Sequence, residues 1–209
     1  KNGFEGKIRF IQKNLSLICE NKALIEDLES TVDYLEGLIL CAEKHNKEYK
    51  ETAEGIESSF ALSYLSRFIL SYGLKSSLEK GDHPFIMNIC GSGMKGEPNW
   101  DDLQHKKTFD PMKVMTHGSR LNDLLGVHFA QIDPVKKIKY TMYNPWAVRT
   151  PGMKEFFNSI MLDIIYWVIG KTPEKAAQVV VEVIKMALSK ETNISAYQEK
   201  KELDLSGQF

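Results

Sequence analysis

Short apolar runs alternate along this chain with longer segments of helical periodicity, and this alternation limits its fold more than any other feature. The runs 37–42, 84–90 and 139–143 are too short for a buried helix and are typical of strands in a parallel sheet. Longer amphipathic segments separate them. This order predicts an α/β fold with a doubly wound parallel sheet covered by helices on both faces.

Apolar residues spaced three and four positions apart predict four helices. The first has its stripe at Leu24, Ile25, Leu28, Val32 and Leu35; the others span 52–78, 111–131 and 176–188, the last starting at Thr172, Pro173 and Glu174. The alternating segment 7–12 predicts one more strand, ending in a turn at 14–16. Because no internal repeat or low-complexity linker interrupts the pattern, we expect residues 1–209 to form a single domain.

Composition excludes several classes of protein. The 209 residues are 43% hydrophobic and 26% charged with a formal net charge of -1, so neither disorder nor a nucleic-acid or membrane partner is indicated. The three cysteines have no CxxC spacing and the five histidines no i, i+4 pair, which argues against a metal site and favours a reducing cytoplasm.

The apolar stretch 160–170 is too short to span a bilayer. With no signal peptide and no initiator Met, the chain is expected to be a fragment.

The segment Gly91–Gly96 matches G-x-G-x-x-G and follows a predicted strand. In a dinucleotide fingerprint the glycines lead directly into a helix whose N-terminus faces the pyrophosphate. Here the following residues, 97–100, have the composition of a loop. We therefore interpret the glycines as a turn.

Eight segments, in the right order, resemble segments of the short-chain dehydrogenase/reductase family: 10–16, 37–43, 52–63, 86–91, 101–104, 119–122, 144–150 and 171–178. Segment 101–104 is similar to the retinol-dehydrogenase-like members. The resemblance implies a Rossmann-like fold, NAD or NADP as cofactor, and oxidation or reduction of an alcohol or carbonyl. The family's glycine-rich first strand-helix-strand unit is not in this sequence.

The resemblance also places the family's catalytic Ser, Tyr and Lys on this chain. The tyrosine position falls on Thr116, or on Met115 if the helix is shifted by one residue, and the lysine position falls on Arg120. The serine position falls on Gly91, with Ser92 as the neighbouring substitute. Neither Thr nor Met replaces a phenol in proton transfer, whereas arginine keeps the positive charge that would contact the ribose.

His117 is adjacent to the lost tyrosine and is the one nearby group that titrates near neutral pH. It is therefore a candidate acid. The alternative is a capping or solvent-facing histidine.

By the same resemblance, the cofactor-binding residues are Asn14, Leu15, Cys41, Ala42, Val148 and Thr150. Ser63 takes the place of the asparagine that organises a proton-relay water. Trp146 replaces a glycine where the nicotinamide ring should pass, and an indole is a large group for that position. We therefore expect weak or no NAD(P)H binding by this chain alone.

Two classes of function follow. The first is an NAD(P)-dependent oxidoreductase with an atypical active site, acting on a small molecule that the sequence does not specify. The second is a catalytically disabled relative that serves as a binding or scaffold subunit. In either case the resemblance implies a homo-oligomer, a dimer built on the long helices 52–78 and 111–131.

Overall fold

The computed structural model describes residues 6–133, 135–152 and 168–205. Most of the apolar stretch 160–170 lies outside these residues. No helix in the described ranges is long and apolar enough to cross a membrane.

Five strands form one sheet, and their order in the sheet follows their order in the chain. They are β1 (Gly37–Leu40), β2 (Phe85–Ile89), β3 (Lys139–Asn144), β4 (Ile194–Gln198) and β5 (Lys201–Glu202). The first four run parallel, and β5 pairs antiparallel with β4. The predicted α/β fold with a mostly parallel sheet is confirmed. The last two strands were not predicted, since 194–202 is short and mixes polar with apolar residues.

The helices are α1 (Ile18–Thr31), α2 (Ser58–Phe60), α3 (Ser66–Gly73), α4 (Lys75–Glu79), α5 (Pro111–Gln131) and α6 (Pro173–Leu188), with a π-helical turn (Ala61–Leu65) between α2 and α3. Helix α5 has the predicted bounds because Asp110 caps it, accepting hydrogen bonds from the backbone amides of Met112 and Lys113. Helix α6 begins as predicted, with Thr172 as its cap and Pro173 in its first turn.

The helices cover both faces of the sheet. On one face, side chains of β2 and β3 pack against residues of α3, α4 and α5, in a core that includes Leu74, Leu78, Ile86, Phe129, Tyr140 and Met142. On the opposite face, strand residues pack against α6, in a smaller core of Met87, Tyr143, Val183, Ala187 and Tyr197. Alternation along each strand thus directs successive side chains into two different cores.

The prediction of one helix over 52–78 is wrong at its start and in its middle. Gly55 has φ 72° and the amide of Gly55 bonds the carbonyl of Thr52, so the chain turns there. The helix begins only after Glu57, whose carboxylate accepts from the amides of Ser59 and Phe60. It then passes through the π-helical turn and breaks again at Leu74. Apolar periodicity alone does not reveal a turn held by local hydrogen bonds.

Two further expectations near the N-terminus are corrected. Residues 7–12 are not a strand: they lie outside any sheet, with Ile8 and Phe10 both 87% exposed. A strand needs a neighbour, and the described residues provide none for this segment. Helix α1 ends at Thr31, so Val32 and Leu35 of the predicted stripe lie beyond it.

Strand β1 is parallel, as predicted, but of its residues only Leu40 is buried. It lies at the edge of the described sheet and pairs only with β2. The side chain of Ile39 is 50% exposed as a result.

Candidate functional site

The candidate site lies where β1, β2 and β3 end. Their parallel register brings Leu40 next to Asn88, and Ile89 next to Tyr143, so the three carboxyl ends meet at one edge of the sheet. Such an edge is the usual ligand-binding side of an open α/β sheet. Helix α5 starts on this side, because the loop 90–110 leaves the end of β2 and leads directly into it.

Ser92 is buried just beyond β2, and both its side-chain hydroxyl and its backbone carbonyl make hydrogen bonds. Its hydroxyl donates to Asp123 Oδ1 at 2.7 Å, and its carbonyl accepts from Asn144 Nδ2 at 3.1 Å. Because its only proton is bonded to a carboxylate, Ser92 does not present a free donor to a ligand carbonyl.

Asp123 is a site residue that sequence reasoning missed. It is almost fully buried on α5, accepts a second bond from the amide of Gly93 at 3.3 Å, and lies 4.0 Å from Arg120 Nη1. Burial raises the pKa of its carboxyl above the usual range, opposed by the bonds from Ser92 and Gly93 and by Arg120. Apolar periodicity gave no signal for it, because Asp123 is two positions from both Leu121 and Leu125 and so lies on a different side of the helix.

The Thr116 hydroxyl is not presented to the sheet edge as a free group. Its Oγ1 lies 3.2 Å from the carbonyl oxygens of Met112 and Lys113, both in its own helix. Nearby, Ser119 donates to the carbonyl of Met115 at 2.9 Å.

Gly91 has no room for a serine side chain. A Cβ at Gly91 would overlap the Ser119 hydroxyl and lie 2.6 Å from the sulfur of Met94. A serine at this position therefore fits only if the side chains of Ser119 and Met94 move or are replaced.

His117 is only 3% exposed, so the alternative of a solvent-facing histidine is wrong. Its Nδ1 accepts a hydrogen bond from the amide of Asn99 at 3.0 Å, which makes it a loop-capping residue. Burial lowers the pKa of His117, and the neighbouring His105 lowers it further, while the carbonyls of Leu103 and Glu97 and the Asp102 charge oppose this.

His105 is the second residue that sequence reasoning missed. It has φ 51°, a left-handed conformation uncommon for residues other than glycine, and is 7% exposed. Its ring meets the ring of His117 edge to face, with centroids 4.7 Å apart and an interplanar angle of 86°. Because the two residues lie on a loop and a helix twelve positions apart, only the folded chain brings them together.

Both histidines line a cavity of about 360 Å³ between the loop 96–108 and the first half of α5. The loop approaches α5 closely at Gly96, where a Cβ would lie 3.1 Å from the Cβ of Thr116. The other lining residues are Glu97, Asn99, Thr108 and Lys113. Of the predicted catalytic residues, the fold thus brings Thr116 and His117 to one cavity, whereas Ser92 and Arg120 meet at Asp123.

A buried polar network lies behind this site. Asn88 Nδ2 donates to Asn122 Oδ1 at 2.9 Å and to the Tyr140 hydroxyl at 3.1 Å. Asn122 Nδ2 in turn donates to the carbonyl of Ser63 at 2.9 Å, in the π-helical turn. By the resemblance, Ser63 is at the position of the asparagine that organises a water. In this chain the carbonyl of Ser63 accepts a hydrogen bond from the side-chain amide of Asn122.

The predicted cofactor-binding residues lie in three places, two of them at the carboxyl ends of strands. Cys41 and Ala42 follow β1, and the carbonyl of Ala42 accepts from the buried Arg67 at 3.2 Å. Val148 and Thr150 follow β3, where Val148 forms a bridge with Lys171.

Asn14 and Leu15 lie instead at the start of α1. The Asn14 side chain accepts from the amide and hydroxyl of Ser16, and the carbonyl of Leu15 accepts from Asn21 Nδ2. Both residues therefore have local structural contacts that begin the helix.

Trp146 has φ 57°, and its backbone amide donates to Asn144 Oδ1 at 2.9 Å. Its side chain is 60% exposed. A left-handed conformation is one that glycine adopts without cost, which gives a physical reason for a glycine at this position in the family.

The described residues fit a dinucleotide only in part. The glycines 91–96 are followed by loop up to Asp110, as predicted, and no described strand leads through a glycine turn directly into a helix. The helix N-terminus that would face a pyrophosphate is therefore not formed by these parts of the chain. Among the same residues, no group of three or more His, Cys, Asp or Glu side chains is arranged to hold a metal ion.

The sequence comparisons find oxidoreductases. No family model matches the sequence. The chain is 29% identical over 185 residues to an uncharacterized oxidoreductase of Saccharomyces cerevisiae, covering 81% of this chain and 57% of that protein. It is 32% identical over 106 residues to dehydrogenase/reductase SDR family member 12 of Homo sapiens, covering 50% of this chain and 33% of that protein. The chain thus spans about half the length, or less, of these curated relatives.

Solved structures of similar fold show the class of fold. A 3-alpha-hydroxysteroid dehydrogenase of Pseudomonas sp. in complex with NADH superposes with a TM-score of 0.71, at 15% identity, over 90% of this chain and 80% of that one. The RhlG/NADP complex of Pseudomonas aeruginosa gives 0.67 at 16% identity, over 90% and 73% of the two chains. The fold is therefore an open, Rossmann-like α/β sheet.

The sequence relatives agree with this class of fold. The curated relatives include a named member of the short-chain dehydrogenase/reductase family, and dehydrogenases share the fold. The resemblance predicted from the sequence segments is confirmed.

Proposed function

We propose that the protein is a divergent NAD(P)-dependent oxidoreductase of the short-chain dehydrogenase/reductase type, acting on a carbonyl or an alcohol. The observation that supports this most is the cavity beside Thr116, at the tyrosine position, on the ligand-binding side of the sheet. Arg120 keeps a cation at the lysine position. A nicotinamide cofactor would supply or accept the hydride, and this chain would hold the substrate at the carboxyl ends of β1 to β3.

A second candidate function is a catalytically disabled relative that binds a ligand or a partner without hydride transfer. The hydrogen bonds of the two candidate hydroxyls favour it. The Ser92 hydroxyl donates to Asp123, and the Thr116 hydroxyl contacts carbonyls of its own helix. Neither is available to protonate an alkoxide in this arrangement.

Restoring the family residues tests the choice between these functions. The variant combines Thr116→Tyr and Arg120→Lys with Gly91→Ser, and adds Ser119→Gly to make room for the new serine. The matched control carries Thr116→Phe in place of Thr116→Tyr, which fills the same space without a hydroxyl. Because this chain alone is expected to bind NAD(P)H weakly, all three proteins, the two variants and the unmodified one, are made as a polypeptide that includes any upstream glycine-rich unit. They are compared for NADH and NADPH oxidation with a panel of ketones and aldehydes, and for cofactor binding by fluorescence titration.

If the protein is a disabled reductase, turnover rises from none to measurable only in the variant with tyrosine. If the unmodified protein already reduces a carbonyl at an ordinary enzymatic rate, the disabled alternative is excluded. If all three proteins bind cofactor in the low-micromolar range without turnover, the oxidoreductase proposal is wrong and the binding function stands. If none binds or reduces, the cofactor proposal fails for this chain.

A further inference from the structure

The cavity beside α5 has two buried polar atoms in its walls for which the described residues provide no hydrogen-bond partner. These are the Nε2 atoms of His105 and His117. The carbonyls of Leu103 and Glu97 act on the pKa of His117, but neither is in hydrogen-bonding geometry with its Nε2. Both histidines are more than nine-tenths buried and both line the cavity. A buried polar atom without a partner is rare in a native protein and calls for an explanation such as a bound molecule.

The hydrogen bond from the loop fixes the protonation of His117. Its Nδ1 accepts from the Asn99 amide, so Nδ1 carries no proton. In the neutral imidazole the proton is then on Nε2, which becomes a donor only. The burial that lowers the pKa of this ring keeps it neutral at physiological pH.

This tautomer decides what chemistry His117 performs. A protonated Nε2 has no lone pair for a metal ion, and a neutral imidazole is a very weak acid. His117 therefore neither ligates a metal nor supplies a proton in this arrangement. What remains is donation of a hydrogen bond from Nε2–H to an acceptor.

The remaining lining indicates an acceptor without net charge. Lys113 and Glu97 contribute one charge of each sign, and Thr108 and Thr116 contribute hydroxyl groups. The volume is at the low end for small-molecule sites.

We propose that this cavity binds a small uncharged carbonyl compound, whose oxygen accepts the hydrogen bond of His117 Nε2–H. His117 then positions and polarises the carbonyl, and the edge-on ring of His105 holds the His117 imidazole in place. If the proposed function is correct, this is where its substrate binds, but the binding itself needs no cofactor.

The test uses the full chain labelled with ¹⁵N-histidine and cyclohexanone as the probe, with cyclohexane at saturation as the compound of similar shape that lacks the oxygen. Ring ¹⁵N resonances first report the tautomer: Nε2 protonated and Nδ1 unprotonated in His117. We expect saturable shifts of the His117 Nε2–H resonance with cyclohexanone and none with cyclohexane.

Two variants distinguish the two roles of His117, as the Nε2 hydrogen-bond donor to a ligand and as the Nδ1 acceptor for the Asn99 amide. His117→Asn retains a side-chain oxygen near the Nδ1 position for the Asn99 amide but loses the Nε2 donor, whereas His117→Gln places an amide donor near Nε2. We expect cyclohexanone to bind roughly tenfold more weakly to the first, the value of one neutral hydrogen bond, and to bind the second nearly as well as the unmodified chain. For both variants binding is read by ligand-observed NMR.

Several outcomes overturn the proposal: a His117 Nδ1–H tautomer, no saturable shift with cyclohexanone, equal shifts with cyclohexane, or equal loss of binding in both variants while both remain folded. Failure here is distinguishable from failure of the proposed function. Ketone reduction without a response of His117 contradicts this inference alone, and a response of His117 without any reduction contradicts the oxidoreductase function alone.

Discussion

At the scale of single residues, the Ser92–Asp123 pair joins the loop after β2 to α5. A carboxylate on α5 accepts the serine hydroxyl and a backbone amide, and so holds the loop after β2 against the helix. Burying that carboxylate costs free energy, which is why the pKa of Asp123 is raised. The residue therefore stabilises the position of the loop and, in its charged form, lowers the stability of the fold.

We predict that Asp123→Asn changes how stability depends on pH. Because the folded-state pKa lies above the unfolded value, the protonated form contributes stability that is fully present below the usual aspartate pKa and is lost as pH rises through the folded value. Asparagine removes this titration. The stability of the unmodified chain relative to the variant should thus fall as pH rises from the usual aspartate range towards neutrality.

Urea denaturation at a series of pH values from acidic to neutral measures this difference. Asp110→Asn, a change at the half-buried cap of α5, is the control for titration of a carboxylate on the same helix. A constant difference between the unmodified chain and Asp123→Asn at all pH values would contradict the prediction.

At the scale of elements, the network around Asn122 joins three parts of the fold. Its side chain links α5 to β2 through Asn88 and to the π-helical turn through the carbonyl of Ser63. An α-helix leaves no free carbonyl in its interior, whereas a π-helical turn displaces the ladder and leaves room for such a bond. The turn and the asparagine are therefore coupled.

We predict that Asn122→Ala destabilises the protein by about 1–3 kcal/mol, because it leaves the carbonyl of Ser63 and one donor of Asn88 buried with fewer partners. Chemical denaturation measures the change in the free energy of unfolding. Gln131→Ala, at the exposed end of the same helix, should change it by less than about 0.5 kcal/mol. Equal effects of the two substitutions would show that the network contributes nothing specific.

The elements also differ in how far the sequence alone predicts them. The start of α6 was predicted because the cap at Thr172 and the proline after it are local signals. The bounds of α5 agree with its apolar periodicity, and the structure adds Asp110 as its cap. The π-helical turn, the buried Asp123 and the meeting of His105 with His117 were not predicted. Each of these depends on contacts between residues distant in the chain or on hydrogen bonds that apolar periodicity does not encode.

At the scale of the whole molecule, an aromatic stripe runs along α2, the π-helical turn and α3, with Phe68 exposed and its other members half-buried. Phe60 stacks with Tyr64 and Phe68 with Tyr72, with ring centroids 5.4 and 4.7 Å apart. Tyr72 then meets His128 of α5 through a 2.8 Å hydrogen bond. The two segments expected to form a dimer interface therefore share one partly apolar surface.

We predict that the protein is a dimer through this aromatic stripe. Phe68, 40% exposed on α3, is the position to change, since a charge there would have to be buried on association. Phe68→Glu should give a monomer in sedimentation velocity at micromolar concentration, whereas Val181→Glu, on an exposed position of α6, should remain a dimer. An unmodified protein that sediments only as a monomer contradicts the prediction.

The parallel register of the sheet has a kinetic consequence. Each pairing among β1, β2, β3 and β4 joins segments roughly fifty residues apart, with a helical crossover between them. The entropy of closing these loops must be lost before the sheet gains its contacts, whereas the capped helices α5 and α6 need only local bonds. During refolding, helical circular dichroism should therefore recover before the near-ultraviolet signal of the aromatic residues, which include the buried strand residues Tyr140, Tyr143 and Tyr197.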